Sequence, residues 1–178
     1  MAGRTRKATQ PVATKAIWEY SIKRKKAMYF GEGHWGTRAE TIAEFLRAQG
    51  LGEREQECFA VVYLDIRHAI RGYSLVTVGL VNRVNVHARE AFRTAILLNA
   101  ERVVLAHNHP SGNSTPSKQD REHTRSLVAA GRIIGIDVVD HIILGESVTQ
   151  GQEYFSFHEA GLMDRMTKPC RKQHRSSP

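Results

Sequence analysis

At 178 residues, with 41% hydrophobic and 25% charged side chains, the chain has the composition of a soluble globular protein and enough length for one domain with a buried core. No apolar run approaches the roughly eighteen residues of a membrane span, and MAGRTRKATQ at the amino terminus has no apolar stretch behind its charges, which excludes a membrane span and a secretory signal. Cys58 and Cys170 lie far apart and neither belongs to a C-x-x-C pair, so the expectation is two reduced thiols in a cytoplasmic protein.

The net charge of +8 sits at the ends. Residues 1–27 carry eight Lys/Arg against one acid and residues 163–178 carry five against one, leaving the middle at −3. The ends read as solvated, disordered tails, with contact to nucleic-acid phosphates as the alternative. No aromatic interleaving or zinc-finger spacing supports sequence-specific binding.

Residues 1–36 are expected to be a basic, partly disordered segment, with a short helix within 17–30. Thr37-Arg38-Ala39-Glu40 reads as a capping box opening a helix whose Ile42, Phe45 and Leu46 face a core, closed by Gly50 and Gly52. The continuous apolar run Phe59 to Leu64 predicts a strand buried on both faces. Tyr73 to Leu80 reads as a second strand, broken off before it by Arg71-Gly72. Ala88 to Asn99 has helical spacing, with Ala91, Phe92, Ala95, Ile96 and Leu98 on the apolar side. Arg102 to Ala106 is a short strand, followed by a loop over 110–116 and a helix from Ser117 to Ile134 that Gly135 ends. Val138 to Leu144 and Tyr154 to Phe157 read as further strands. Strands interleaved with helices predict an α/β domain, a mixed sheet flanked by helices, over residues 37–162, with a basic disordered tail at 163–178.

The chemistry concentrates in residues 107–120, HNHPSGNSTPSKQD. His107 and His109 stand at i and i+2 just past an apolar strand, a spacing that points both imidazoles to one side of extended backbone. Pro110 cannot continue a central strand, so the pair lies at the strand's carboxyl end, where α/β sheets build their sites. Asp120 falls in the first turn of the next helix. Two imidazoles and one carboxylate make three protein ligands, and tetrahedral zinc would keep a fourth position open, which favours a catalytic over a structural site. The same set would also hold Fe(II). Ser117-x-x-Asp120 is in addition a plain capping box, compatible with ligation by Asp120. His87, His123, His141 and His158 read as structural or surface residues, and Asp140 as a packing residue. His107-Asn108-His109 spells the name of a nuclease motif whose residues are scattered in sequence, and three contiguous letters are no evidence for it. The zinc deaminase pattern is absent.

His-x-His-Pro followed by Ser-x-x-Asp, with Ser117 eight residues after His109, resembles the JAMM motif of the MPN (JAB1/MPN/Mov34) metalloprotease superfamily. Within that superfamily, NAERVVLAHNHPSG, VHAREAFRTAILLNA and GIDVVDHIILG resemble the bacterial RadC family over roughly residues 55–162, with Ala88 where proline is expected. The resemblance implies an MPN/JAB-like domain with one Zn2+ per chain on His107, His109 and Asp120. It also implies a glutamate general base at the start of an early strand. Glu57 matches that position, with Glu53 and Glu55 nearby as competitors. The family carries an amino-terminal helix-hairpin-helix region implied to touch DNA, and no tandem hairpin pattern shows in the roughly 55 residues ahead of the domain here.

The expected function is therefore a zinc metallopeptidase cleaving an amide or isopeptide bond of a peptide or protein substrate, with an association to DNA repair implied by the family. Glu57 would act as base, and the Ser117 hydroxyl would stabilise the developing oxyanion. The alternative is a non-catalytic metal-binding scaffold that engages DNA or a protein partner. Phosphodiester hydrolysis is a third reading, without a second metal cluster to support it.

Overall fold

A computed structural model describes residues 38–79, 86–145 and 153–167. Five strands, β1 (Cys58–Leu64), β2 (Ile70–Val78), β3 (Arg102–Asn108), β4 (Asp137–Leu144) and β5 (Tyr154–Ser156), form one sheet in the order β2-β1-β3-β4-β5. The β3–β4 pair is parallel and the other three pairs are antiparallel. The helices are α1 (Ala39–Ala48), α2 (Ala88–Leu97), α3 (Lys118–Ile134) and α4 (Leu162–Thr167).

Every residue of β1 is buried, because both faces of the sheet are covered. Phe59, Val61 and Tyr63 pack with Phe92, Leu127, Val128, Met163 and Met166 on the face that carries α2, α3 and α4. Ala60, Val62 and Leu64 alternate to the other face, against Ile42, Phe45 and Leu46 of α1. The result is a three-layer α/β domain, as the interleaved strands and helices predict.

Several elements differ from their sequence-based expectation. Thr37 lies outside the described residues, and α1 starts on Arg38 with no side-chain cap, so burial of its apolar stripe holds it. β2 runs through Arg71-Gly72, absorbing the irregularity as a register shift opposite Tyr63 and Leu64. Ile96 is 54% exposed, because the buried stripe of α2 is Ala91, Phe92 and Ala95. Ala88 is the first residue of α2, a position whose amide proton has no partner within the helix and where proline is well tolerated. The tail expected from 163 begins later: residues 163–167 are helical, with Met163 and Met166 one turn apart in the core. The short helix expected within 17–30, the whole basic segment 1–36 and the tail beyond 167 lie outside the described residues. Among the described residues no helix is long and apolar enough to cross a membrane.

α3 seats on the sheet through Gly131, whose hypothetical Cβ would lie 2.5 Å from the Ile136 carbonyl oxygen and 3.1 Å from Phe92 Cζ. The backbone at Ile136 cannot yield without losing the turn into β4. Gly131→Ala is therefore expected to destabilise the fold by about 1–3 kcal/mol, read as a lower urea midpoint.

Candidate metal centre

β3 and α3 bring the donors together. His107 is the penultimate residue of β3, opposite Phe59 of β1 and Ile143 of β4, and is 2% exposed. The His109 amide donates to the Leu144 carbonyl at 2.8 Å, extending the β4 pairing one residue past the strand. Extended backbone across this stretch puts the two imidazoles on one side. Pro110 then ends the pairing, and the loop turns back with the Gly112 amide donating to the His109 carbonyl at 2.9 Å. The loop lies directly on the end of β4: a Cβ on Gly145 would sit 2.5 Å from the Gly112 oxygen and 2.7 Å from the Ser114 nitrogen.

Ser117 is the N-cap of α3, its hydroxyl accepting from the Asp120 amide at 3.1 Å. Asp120 Oδ2 accepts in return from the Ser117 amide at 2.7 Å and from the Ser117 hydroxyl at 2.6 Å. The hydroxyl proton is thus directed at Asp120 and not into the cleft, so in this structure Ser117 orients a carboxylate. An oxyanion role requires that hydroxyl to turn.

His107 Nε2 lies 3.0 Å from His109 Nε2 and 3.5 Å from Asp120 Oδ1, and His109 Nε2 lies 3.7 Å from Asp120 Oδ2. Ligands at tetrahedral zinc, with bonds of 2.0–2.2 Å, are about 3.3–3.5 Å apart. The three side chains can therefore hold a metal ion with little movement. The other ring nitrogen of each histidine is occupied: His109 Nδ1 by the Asn113 carbonyl at 2.5 Å, His107 Nδ1 by His141 Nε2 at 2.8 Å. Fixing one ring nitrogen on the protein aims the other at the ion.

Electrostatics suits ligation. Burial pushes His107 down to about 3, with the charges of His109 and His123 adding to it and Asp120 opposing, so its imidazole is neutral at pH 7. Burial alone would raise Asp120, but the Ser117 hydrogen bonds and the nearby His107 hold it below its usual value.

Glu57 stands immediately before β1 and is partly buried, while Glu53 and Glu55 are exposed. Glu57 precedes Cys58, whose amide is bonded to Asn108, and Phe59, which pairs with His107, so the register sets it at the donor end of β3. Burial raises its carboxyl above the ordinary value, with His109 opposing and Asp120 reinforcing. Asn108 fixes its neighbours on both sides. The Asn108 Oδ1 accepts from the Cys58 amide at 2.8 Å, and Nδ2 donates to the Arg54 and Gln56 carbonyls at 3.0 and 3.2 Å.

Sequence reasoning assigned His141 to packing and gave Thr124 no role. His141 is buried and bonds His107, and Thr124 bonds His141 Nδ1 at 2.6 Å. Two signals were available: a histidine inside the apolar strand DVVDHIIL, and a threonine one helical turn after Asp120. His123 is structural, its Nε2 donating to the Val86 carbonyl at 2.8 Å, whereas His158 is an exposed residue whose backbone amide donates to Asp140 at 2.8 Å. His87 is the N-cap of α2.

A family profile described as the RadC-like JAB domain matches residues 37–162. The UPF0758 protein STH371 of Symbiobacterium thermophilum is 44% identical over 122 residues, which cover 68% of this chain and 50% of that protein. The chain thus spans about half the length of this curated relative. With the mixed sheet and the His107–His109–Asp120 cluster in place, the chain belongs to the RadC-like JAB domain family.

Proposed function

We propose that the chain is a zinc-dependent hydrolase of amide bonds in peptides or isopeptide-linked proteins. The observation that carries this reading is the donor set itself: three protein ligands of nitrogen and oxygen type, with a partly buried carboxylate beside them that is not among the ligands. Three ligands leave a coordination position for reactants, which structural zinc sites fill with a fourth side chain. His107, His109 and Asp120 would hold the zinc, which would supply Lewis acidity and lower the pKa of a water from about 15.7 toward about 7.

The remaining work falls to the chain. Asp120 stays ionised and holds its orientation through Ser117. Glu57 takes the proton of the attacking water on its carboxylate and returns it to the departing amine. Asn108 keeps the backbone around Glu57 in register while this happens.

One observation favours a second reading, a metal-bearing scaffold without turnover: the Ser117 hydroxyl is committed to Asp120 and offers the cleft no donor. Incubating the zinc-loaded chain with a panel of quenched-fluorescent peptides and isopeptide-linked conjugates separates the two. Cleavage that disappears in Glu57→Gln is expected. Stoichiometric zinc with every substrate intact favours the scaffold.

A further inference from the structure

His107 is bonded through Nδ1 to His141 of β4, and the chain of bonds behind His141 fixes the direction of that bond. The Thr124 hydroxyl lies 2.5 Å from the Asp120 carbonyl oxygen. A carbonyl only accepts, so the hydroxyl proton is spent there. Thr124 Oγ1 is also 2.6 Å from His141 Nδ1, and with its proton committed it can only accept, which puts a hydrogen on His141 Nδ1. A neutral imidazole carries one N–H, so His141 Nε2 is a lone pair facing His107 Nδ1 at 2.8 Å. The proton of His107 is therefore on Nδ1, and its Nε2 lone pair faces His109 and Asp120. The Asn113 carbonyl imposes the same tautomer on His109 at 2.5 Å.

We propose that Thr124 and His141 are positioning residues that set the tautomer of His107. The chain of donors starts at His107 and ends on the main-chain carbonyl of Asp120, so one relay ties two of the three ligand residues together across β3, β4 and α3. It leaves two imidazole lone pairs facing each other at 3.0 Å with no proton between them. That arrangement is unfavourable by itself and is relieved by a cation, so the site is organised for an ion before one arrives. His141 and Thr124 are buried, which keeps water from supplying alternative partners that would scramble the polarity.

The relay serves the metal site of the proposed function and rests on that reading for its purpose, but its polarity is testable without metal. Two-bond 15N–1H correlation spectra of the chelator-treated wild-type protein at pH 8 should show Nδ1–H tautomers for both His107 and His141. Zinc affinity by competition with a chromophoric chelator should fall about 10–100-fold in Thr124→Val, the loss typical of a disrupted partner behind a ligand, and stay within about threefold of wild type in Thr124→Ser, which keeps the hydroxyl. An Nε2–H tautomer on either ring overturns the proposal, and so does a folded Thr124→Val with wild-type affinity. If Thr124→Val does not fold, the wild-type spectra decide alone. Zinc uptake failing in a wild type that shows both Nδ1–H tautomers overturns the metal reading and leaves the relay standing.

Discussion

Glu57→Gln is expected to keep one zinc per chain and to lose about 10²–10⁴-fold in turnover, the contribution typical of a positioned acid–base group. Glutamine has nearly the same shape, and Glu57 is not one of the residues whose donors converge on the ion. The hydrogen bonds that hold this segment are made by its backbone and by Asn108: the Glu57 carbonyl accepts from the Gly79 amide at 3.0 Å, and the Cys58 amide is bonded to Asn108. Fold and metal should both survive the exchange. What is lost is a carboxylate whose burial lifts it toward the working pH range and whose neighbours are His109 and Asp120. The wild-type rate should fall on the acid side as this group takes up a proton, at a pH above its ordinary 4.5. Full turnover by Glu57→Gln, measured on any substrate the wild type cleaves, contradicts the assignment.

The metal-free protein should lose stability as pH falls below about 6.5. His107 and His141 are both buried neutral, with folded-state values pushed below the 6.5 of an unconstrained histidine. Below 6.5 the unfolded chain binds those protons and the folded chain does not. Each ring thus stabilises the fold fully above 6.5 and loses that contribution as pH falls toward its folded value, at up to about 1.4 kcal/mol per pH unit. Asp140 works in the opposite direction. Its burial outweighs the hydrogen bonds from Ser156, His158 and His141 and pushes it up to about 6, so the folded state takes up its proton first. Between about pH 6 and 3.8 it offsets one of the two rings. With the unfolded rings only half protonated at pH 6.5 and Asp140 already taking up its proton near 6, the net slope is about 1 kcal/mol per unit at pH 6.5 and about 1.4 at pH 6 and below. Urea unfolding of chelator-treated protein at pH 7.5, 6 and 5 measures this, and a midpoint that stays constant over the range contradicts the buried neutral pair.

Much of the architecture was legible because local and global signals agree. The uninterrupted apolar run of β1 predicts burial on both faces, and α3 carries its own start and stop in Ser117 and Gly135. The donor cluster was readable for a similar reason, since His107 and His109 share a side of one extended segment and Asp120 sits in the next helical turn. Legibility failed where an effect depends on distant packing. Adjacency to the apolar run is the one local signal that favours Glu57 over Glu53 and Glu55, and that Glu57 alone of the three is partly buried depends on the fold. Ser117 could point its proton either way, and only the folded loop directs it at Asp120. The pairing of His107 with His141 spans 34 residues and two parallel strands, and no periodicity reports it. α4 was hidden because the basic composition around it outweighed two methionines one turn apart.

Elemental analysis of protein purified without chelators, wild type beside His109→Ala, tests the central claim most directly. His109 is partly exposed at the mouth of the cluster, so its loss removes a ligand without opening the core. About one zinc per wild-type chain and less than about one tenth of that in a folded His109→Ala is the expected result. Equal metal content in the two proteins, or none in either, would contradict the assignment of His107, His109 and Asp120 as a metal centre.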